Sequence, residues 1–316
     1  MNSIVFSALL PVVALIAAGF VLGRLRWLGA GAVKQLSNLA FLVLTPILLF
    51  RTMSKVHLEQ LDLKPAAAYV LALALVFAGM LVLRGLNRTA AVLALAVTYS
   101  NAVMIGIPLV GLAWGDAGLV TLFTLIPVHS LLLLTSATVV LEFVLAHEEA
   151  ARSPAVAGRL LRVAGRALRK ALLHPVPLPI IAGLLFAQTG LVIPAWLEPP
   201  MRWLGSAFGP LALVLVGITL AGSAIGAQWR AALALAGIKN FLVPLLVAAL
   251  AYAMGITGLP LVVTVVTAAL PIGANVFMFS QRYAVAQDLI TAGVALSTAL
   301  ALVSVSLVIL LLLGSP

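Results

Sequence analysis

The residues able to do chemistry in this chain are few, and most of them sit where the sequence is otherwise apolar. "SNAVMIGIPLV" (100–110) holds Ser100, Asn101, Gly106 and Pro108, and "LPIGANVF" (270–277) holds Pro271, Gly273 and Asn275. Both lie inside stretches long and apolar enough to cross a bilayer as a helix. Proline cannot supply a backbone N–H, glycine weakens a helix, and an asparagine amide offers both a donor and an acceptor. Irregular backbone at membrane depth survives only inside the protein or beside a watery cavity. A break also leaves half-helices whose N-terminal ends are partly positive. Two breaks meeting at the midplane would therefore suit an anionic group. The alternative is a plain kink at each, since proline is common in membrane helices and Pro11, Pro46, Pro127, Pro210 and Pro244 lie in other apolar runs. An Asn in both interrupted spans favours the site.

Lys239 and Asn240 lie midway along "LALAGIKNFLVPLL" (233–246). A lysine at mid-bilayer costs about 2.5–3.5 kcal/mol on insertion scales and usually faces a cavity or a partner. It is a candidate counter-charge for an anionic substrate, a proton carrier or a stand-in for a cation. Alternatively, it snorkels or bonds carbonyls freed by Pro244. His129 in "LIPVHSLLLL" is a structural hydrogen-bonder or a proton relay. Asn38 and Thr45 in the second apolar run are supporting polar candidates, and Thr45 could simply satisfy backbone freed by Pro46.

Other chemistries find no support. The Asp and Glu residues fall mainly at span ends or in loops, so an intramembrane carboxylate pair for sodium is not evident. "HEEAA" (147–151) lacks the second His of a zinc-protease helix, and neither a serine elbow nor a phosphate-cradling glycine loop is present. Cysteine is absent, which removes disulfides, thiolate metal sites and cysteine nucleophiles. No catalytic residue, metal site or cofactor is expected.

These groups need a scaffold, and the composition defines it. The chain is 64% hydrophobic and 8% charged, against about 25% charged for a soluble domain. An all-α polytopic membrane protein is the class that fits. Its net charge of +10 does not indicate nucleic acid, because the basic residues fall in short connections between apolar runs. The first run has no Lys or Arg before it and reads as a retained span rather than a signal peptide.

Ten spans are expected, near 3–23, 32–50, 65–83, 89–114, 118–145, 175–193, 202–224, 228–254, 259–282 and 287–313. With both termini outside, 13 of the 18 Lys and Arg face the cytoplasm, 4 face outward and Lys239 stays in a span. That asymmetry fixes the orientation by the positive-inside rule. Residues 146–174 form a basic linker between two five-span halves, 1–145 and 175–316. Within it, 151–173 reads as an amphipathic helix on anionic lipid, or else as a regulatory loop. An odd number of spans in each half gives the halves opposite orientation, the topology of an inverted repeat. The fourth and ninth spans, which carry the two breaks, then correspond.

"TYSNAVMIGIPLV" (98–110), "LALVLVGITLAG" (211–222) and "ALPIGANVFMFSQRYAV" (269–285) resemble the auxin efflux carrier family, which includes plant PIN carriers and bacterial permeases for small organic acids. The likeness runs from the first span to "ALSTALALVSVSLVILLLL". It implies ten helices in two inverted five-helix repeats, like NhaA and the bile-acid symporters, with broken helices 4 and 9 crossed. Asn101, Pro108, Pro271 and Asn275 match the positions at the crossing. It further implies a homodimer that carries monocarboxylate or dicarboxylate anions. Residues and resemblance together give a secondary transporter of small organic anions in a bacterial-type inner membrane, working by alternating access. Asn101, Asn275, Ser100, Gly273 and Lys239 would hold the substrate, with breaks at Gly106, Pro108 and Pro271 and support from Asn38, Thr45, His129 and Asn240. An anion channel and a non-transporting membrane sensor are the rival readings.

Overall fold

The computed structural model describes residues 2–56, 62–150, 176–222 and 226–313. Among these, every regular element is helical, and six helical runs are each long and apolar enough to span a membrane. The chain is an all-α polytopic membrane protein. In order, the helices are α1 (Asn2–Arg24), α2 (Ala30–Leu39), α3 (Thr45–Met53), α4 (Lys64–Arg84), α5 (Arg88–Thr98) and α6 (Ile107–Ala150), the last interrupted at Gly115. After the linker come α7 (Pro177–Gln188), α8 (Glu198–Ala221), α9 (Trp229–Gly237), α10 (Val243–Ala253), α11 (Gly258–Ala269), α12 (Ala274–Arg282) and α13 (Gln287–Leu313). The amphipathic helix expected at 151–173 lies outside the described residues.

Three of the spans contain a five-residue π-helical segment: Ala40–Leu44, Ala102–Gly106 and Ile238–Leu242. Each is followed two residues later by a proline, Pro46, Pro108 or Pro244. A proline ring in an α-helix collides with the carbonyl four residues back. The wider turn moves that carbonyl aside, and the residue before each proline bonds five residues back instead: Thr45 to Ala40, Ile107 to Ala102, Val243 to Ile238. These prolines therefore widen their helices without ending them. Neither Gly106 nor Pro108 is the break expected of it: both lie in continuous helix, and the structure places the break at Tyr99 to Asn101.

The helices pack as two groups. In one, α1 lies along α8, and α3 packs on α7 and α8. Gly19 and Gly217 let α1 and α8 touch backbone to backbone, since a Cβ on either would overlap Val214 or Ile16. In the other, α4, α6, α10 and α13 pack on α11, whose residues from Leu261 to Ala269 are all buried, and α5, α9 and α12 join through α4, α6 and α13. Arg24, Arg84, Arg88 and Arg282 mark one end of the bundle, where the Tyr283 hydroxyl donates to Glu142 at 3.2 Å. At the opposite end the Arg51 guanidinium donates through Nε and a terminal nitrogen to one Glu198 oxygen, at 3.0 and 2.6 Å.

Candidate functional site

Both interrupted spans come apart at mid-depth, and the two gaps lie against each other. Between α5 and the following π-helical segment, Tyr99 is extended; between α11 and α12, Leu270 and Gly273 are extended. Ser100 and Ile272 form an antiparallel bridge, the Asn101 N–H donates to Pro271 O at 2.8 Å, and the Gly273 N–H donates to Tyr99 O at 2.9 Å. Each break thus supplies the backbone partners that the other lacks, which is what allows irregular chain at this depth. The approach requires glycine. A Cβ on Gly273 would sit 2.6 Å from the Tyr99 ring and 3.1 Å from Ser100 O, and one on Gly106 would sit 2.7 Å from a Leu270 methyl.

Beside this crossing lies a cavity of about 310 Å³. Asn38, Ser100, Asn101, His129, Gly273 and Asn275 line it, all of them candidates from the sequence. The first residues of two half-helices, Ala102 to Met104 and Gly273 to Asn275, also form its wall, so two partly positive helix ends face one space. Among the described residues, no carboxylate and no cationic side chain lines it. Phe41, Leu42, Met104, Ile126, Leu134 and Met278 supply an apolar wall. Leu134 and Met278 lie on the stretches of α6 and α12 leading toward Glu142 and Arg282, so the cavity occupies the basic side of the crossing. On the other side Val12, Ile16, Ile105, Leu109 and Val305 close over a void of about 20 Å³.

A polar network holds the wall in place. The Asn275 amide donates to the Tyr99 hydroxyl at 2.8 Å, and that hydroxyl is paired with Ser130 Oγ at 3.1 Å. The Ser100 N–H donates to His129 Nε2 at 3.3 Å, which leaves the imidazole proton on Nδ1, 3.4 Å from the Tyr69 hydroxyl. Tyr69 in turn is 3.2 Å from Ser100 Oγ. His129 is thus tied to the backbone of the break itself. The Asn101 side chain is half-buried and has no hydrogen-bond partner among the described residues, so its donor and acceptor are open to a ligand.

Tyr99, Tyr69 and Ser130 were not among the sequence candidates. Tyr99 stands directly before Ser100 and Asn101, and that adjacency was the available signal. Three of the polar candidates lie off the cavity, as do Gly106, Pro108 and Pro271. The Thr45 hydroxyl donates to Ala40 O at 2.7 Å, closing the π-helical segment before Pro46. Lys239 and Asn240 are fully buried behind the crossing. The Lys239 ammonium donates to Ala268 O at 2.6 Å and Leu270 O at 2.7 Å, so it binds carbonyls of the ninth span's break and does not line the cavity as a counter-charge. Asn240 donates to Ala269 O at 3.2 Å and accepts from Ser297 Oγ at 2.6 Å.

A polytopic helical bundle with two interrupted spans paired beside a cavity that asparagine amides and helix ends enter is the architecture of a membrane transporter. The family model described as membrane transport protein matches residues 4–309, and the chain belongs to this family, that of the auxin efflux carriers. No curated protein matches the chain.

Proposed function

We propose that the protein is a secondary carrier of small organic anions and that the substrate carboxylate sits at the crossing, between Asn101, Asn275 and the two half-helix N-termini. One observation carries this reading: two partly positive helix ends and two asparagine amides converge on one cavity that no acidic side chain among the described residues enters. The apolar surface opposite the amides, with no cationic side chain among the described lining residues, favours one carboxylate on an apolar body over a dicarboxylate. In this reading the halves 1–145 and 175–316 are inverted repeats. The α4–α6 and α9–α13 group moves against the α1–α3, α7 and α8 group to expose the crossing alternately to each side.

The test is counterflow in liposomes with a matched series of short mono- and dicarboxylates. Trans-stimulated exchange of a monocarboxylate supports the reading, because only a carrier shows it. Flux without trans-stimulation would indicate a channel, and no flux with retained binding would indicate a sensor.

A further inference from the structure

The break in the ninth span leaves backbone oxygens at the partly negative C-terminal end of α11, buried far from solvent. Orphan carbonyls of this kind need partners. The chain supplies them for each oxygen from Ala268 to Pro271. Ala268 O and Leu270 O accept from Lys239, and Ala269 O accepts from Asn240 and from Ser304 Oγ at 3.1 Å. Pro271 O accepts from Asn101, the Ile272 N–H donates to Ser297 Oγ at 3.0 Å, and the Gly273 N–H donates to Tyr99 O. In this set the ammonium is the one charged partner. It is fully buried, and among the described residues no carboxylate pairs with it.

A neutral donor could satisfy two carbonyls. When protonated, Lys239 places a positive charge among buried carbonyl oxygens at the negative end of a half-helix, which is the environment of a bound alkali-metal cation. We propose that Lys239 is a tethered cation: its ammonium occupies a monovalent-cation site in the crossing that would otherwise need a free ion. The site is Ala268 O and Leu270 O. Lys239 is therefore a positioning residue for the break, and the charge arrives with the chain rather than from solution. The consequence for coupling rests on the carrier reading: turnover needs no sodium or potassium ion at this place. The site itself does not rest on that reading.

The experiment measures thermal stability of purified protein, without substrate, in sodium, potassium, ammonium or choline chloride at equal ionic strength. Wild type should melt at the same temperature in all four. Lys239→Ala, which vacates the ammonium position, should melt lower in choline. It should regain at least about 2 °C, saturably, in one of the small cations, as a ligand bound only by the folded state does. Lys239→Met, which fills the space without charge, should show no such gain. Equal melting of Lys239→Ala in all four salts would overturn the proposal, as would cation-specific stabilisation of the wild type. If Lys239→Ala is lost on purification in choline, recovery of monodisperse protein only in a small-cation salt supports the proposal, and recovery in none overturns it. Because no substrate enters, failure here is distinct from failure of the counterflow assay.

Discussion

Asn275 and Tyr99, 176 residues apart, are joined across the crossing by a 2.8 Å hydrogen bond from the amide to the phenol oxygen. The bond fixes which face of the Asn275 side chain the cavity sees. One amide proton is committed to Tyr99, so the second N–H and the carbonyl oxygen remain for a ligand. Tyr99 thus orients the amide proposed to hold the substrate.

Tyr99→Phe keeps the ring that packs at 4.4 Å between centroids on His129 but removes the oxygen that holds Asn275. A hydrogen bond of this type contributes about 0.5–1.5 kcal/mol, so substrate affinity should fall by roughly 2- to 12-fold. Saturation curves in proteoliposomes are the measurement. The expected signature is a raised half-saturation constant with a nearly unchanged maximal rate and melting temperature.

Asn101→Ala and Asn275→Ala should each abolish transport or reduce it severely while the protein still folds. Each removes an amide from the cavity wall and leaves the backbone pairing of the breaks in place. Asn→Asp at either position should be worse, because an ionised carboxylate repels an anionic substrate and is expensive to desolvate. Pro108→Ala should be the mildest of the set, since Pro108 lies beyond the break on an already helical turn. Uptake and substrate-induced thermal shift distinguish these cases. Wild-type transport by both Asn→Ala proteins would remove the crossing as the binding site.

The two glycines of the crossing should respond unequally to a methyl group. At Gly273 the added Cβ meets the Tyr99 ring and the Ser100 carbonyl, whereas at Gly106 it meets the end of a Leu270 side chain. Gly273→Ala should lower stability by about 1–3 kcal/mol, as overpacking does. Gly106→Ala should lose less, because Leu270 can change rotamer. Melting temperatures of the two variants compared side by side decide it.

Orientation can be read with single cysteines, since the native chain has none. Trp196, 76% exposed, should label from outside with an impermeant maleimide when replaced by Cys, and Trp27, 74% exposed, should label only after permeabilisation. The reverse pattern would invert the topology inferred from the basic residues and would place the cavity's basic side outside.

The spans and the existence of two mid-depth breaks were legible from apolar run length and from Pro, Gly and Asn inside it. Asn101 and Asn275 line the cavity because the breaks that place them there are local. The exact break in the fourth span was not legible. Proline ends helices in most settings, and nothing local shows that π-helical widening will absorb Pro46, Pro108 and Pro244. The partner of Lys239 was also hidden, because it is a set of backbone oxygens, and every residue has one. Tyr99 was overlooked for a related reason: its hydroxyl matters only once Asn275 from the ninth span lies beside it.

The paired breaks also set an order of events in the ribosome-bound chain. Asn101 is made about 170 residues before Pro271, which accepts its N–H. At a synthesis rate of about 5–20 residues per second, that is a wait of roughly 10–30 s. Throughout this interval an open break in the fourth span has no backbone partner, and in hydrocarbon such groups are costly to leave bare. The nascent first half must therefore either keep Tyr99 to Asn101 helical or hold the open break in water, in the translocation machinery or at the lipid surface, until the ninth span arrives. Membrane integration of the fourth span is in this sense completed by the ninth.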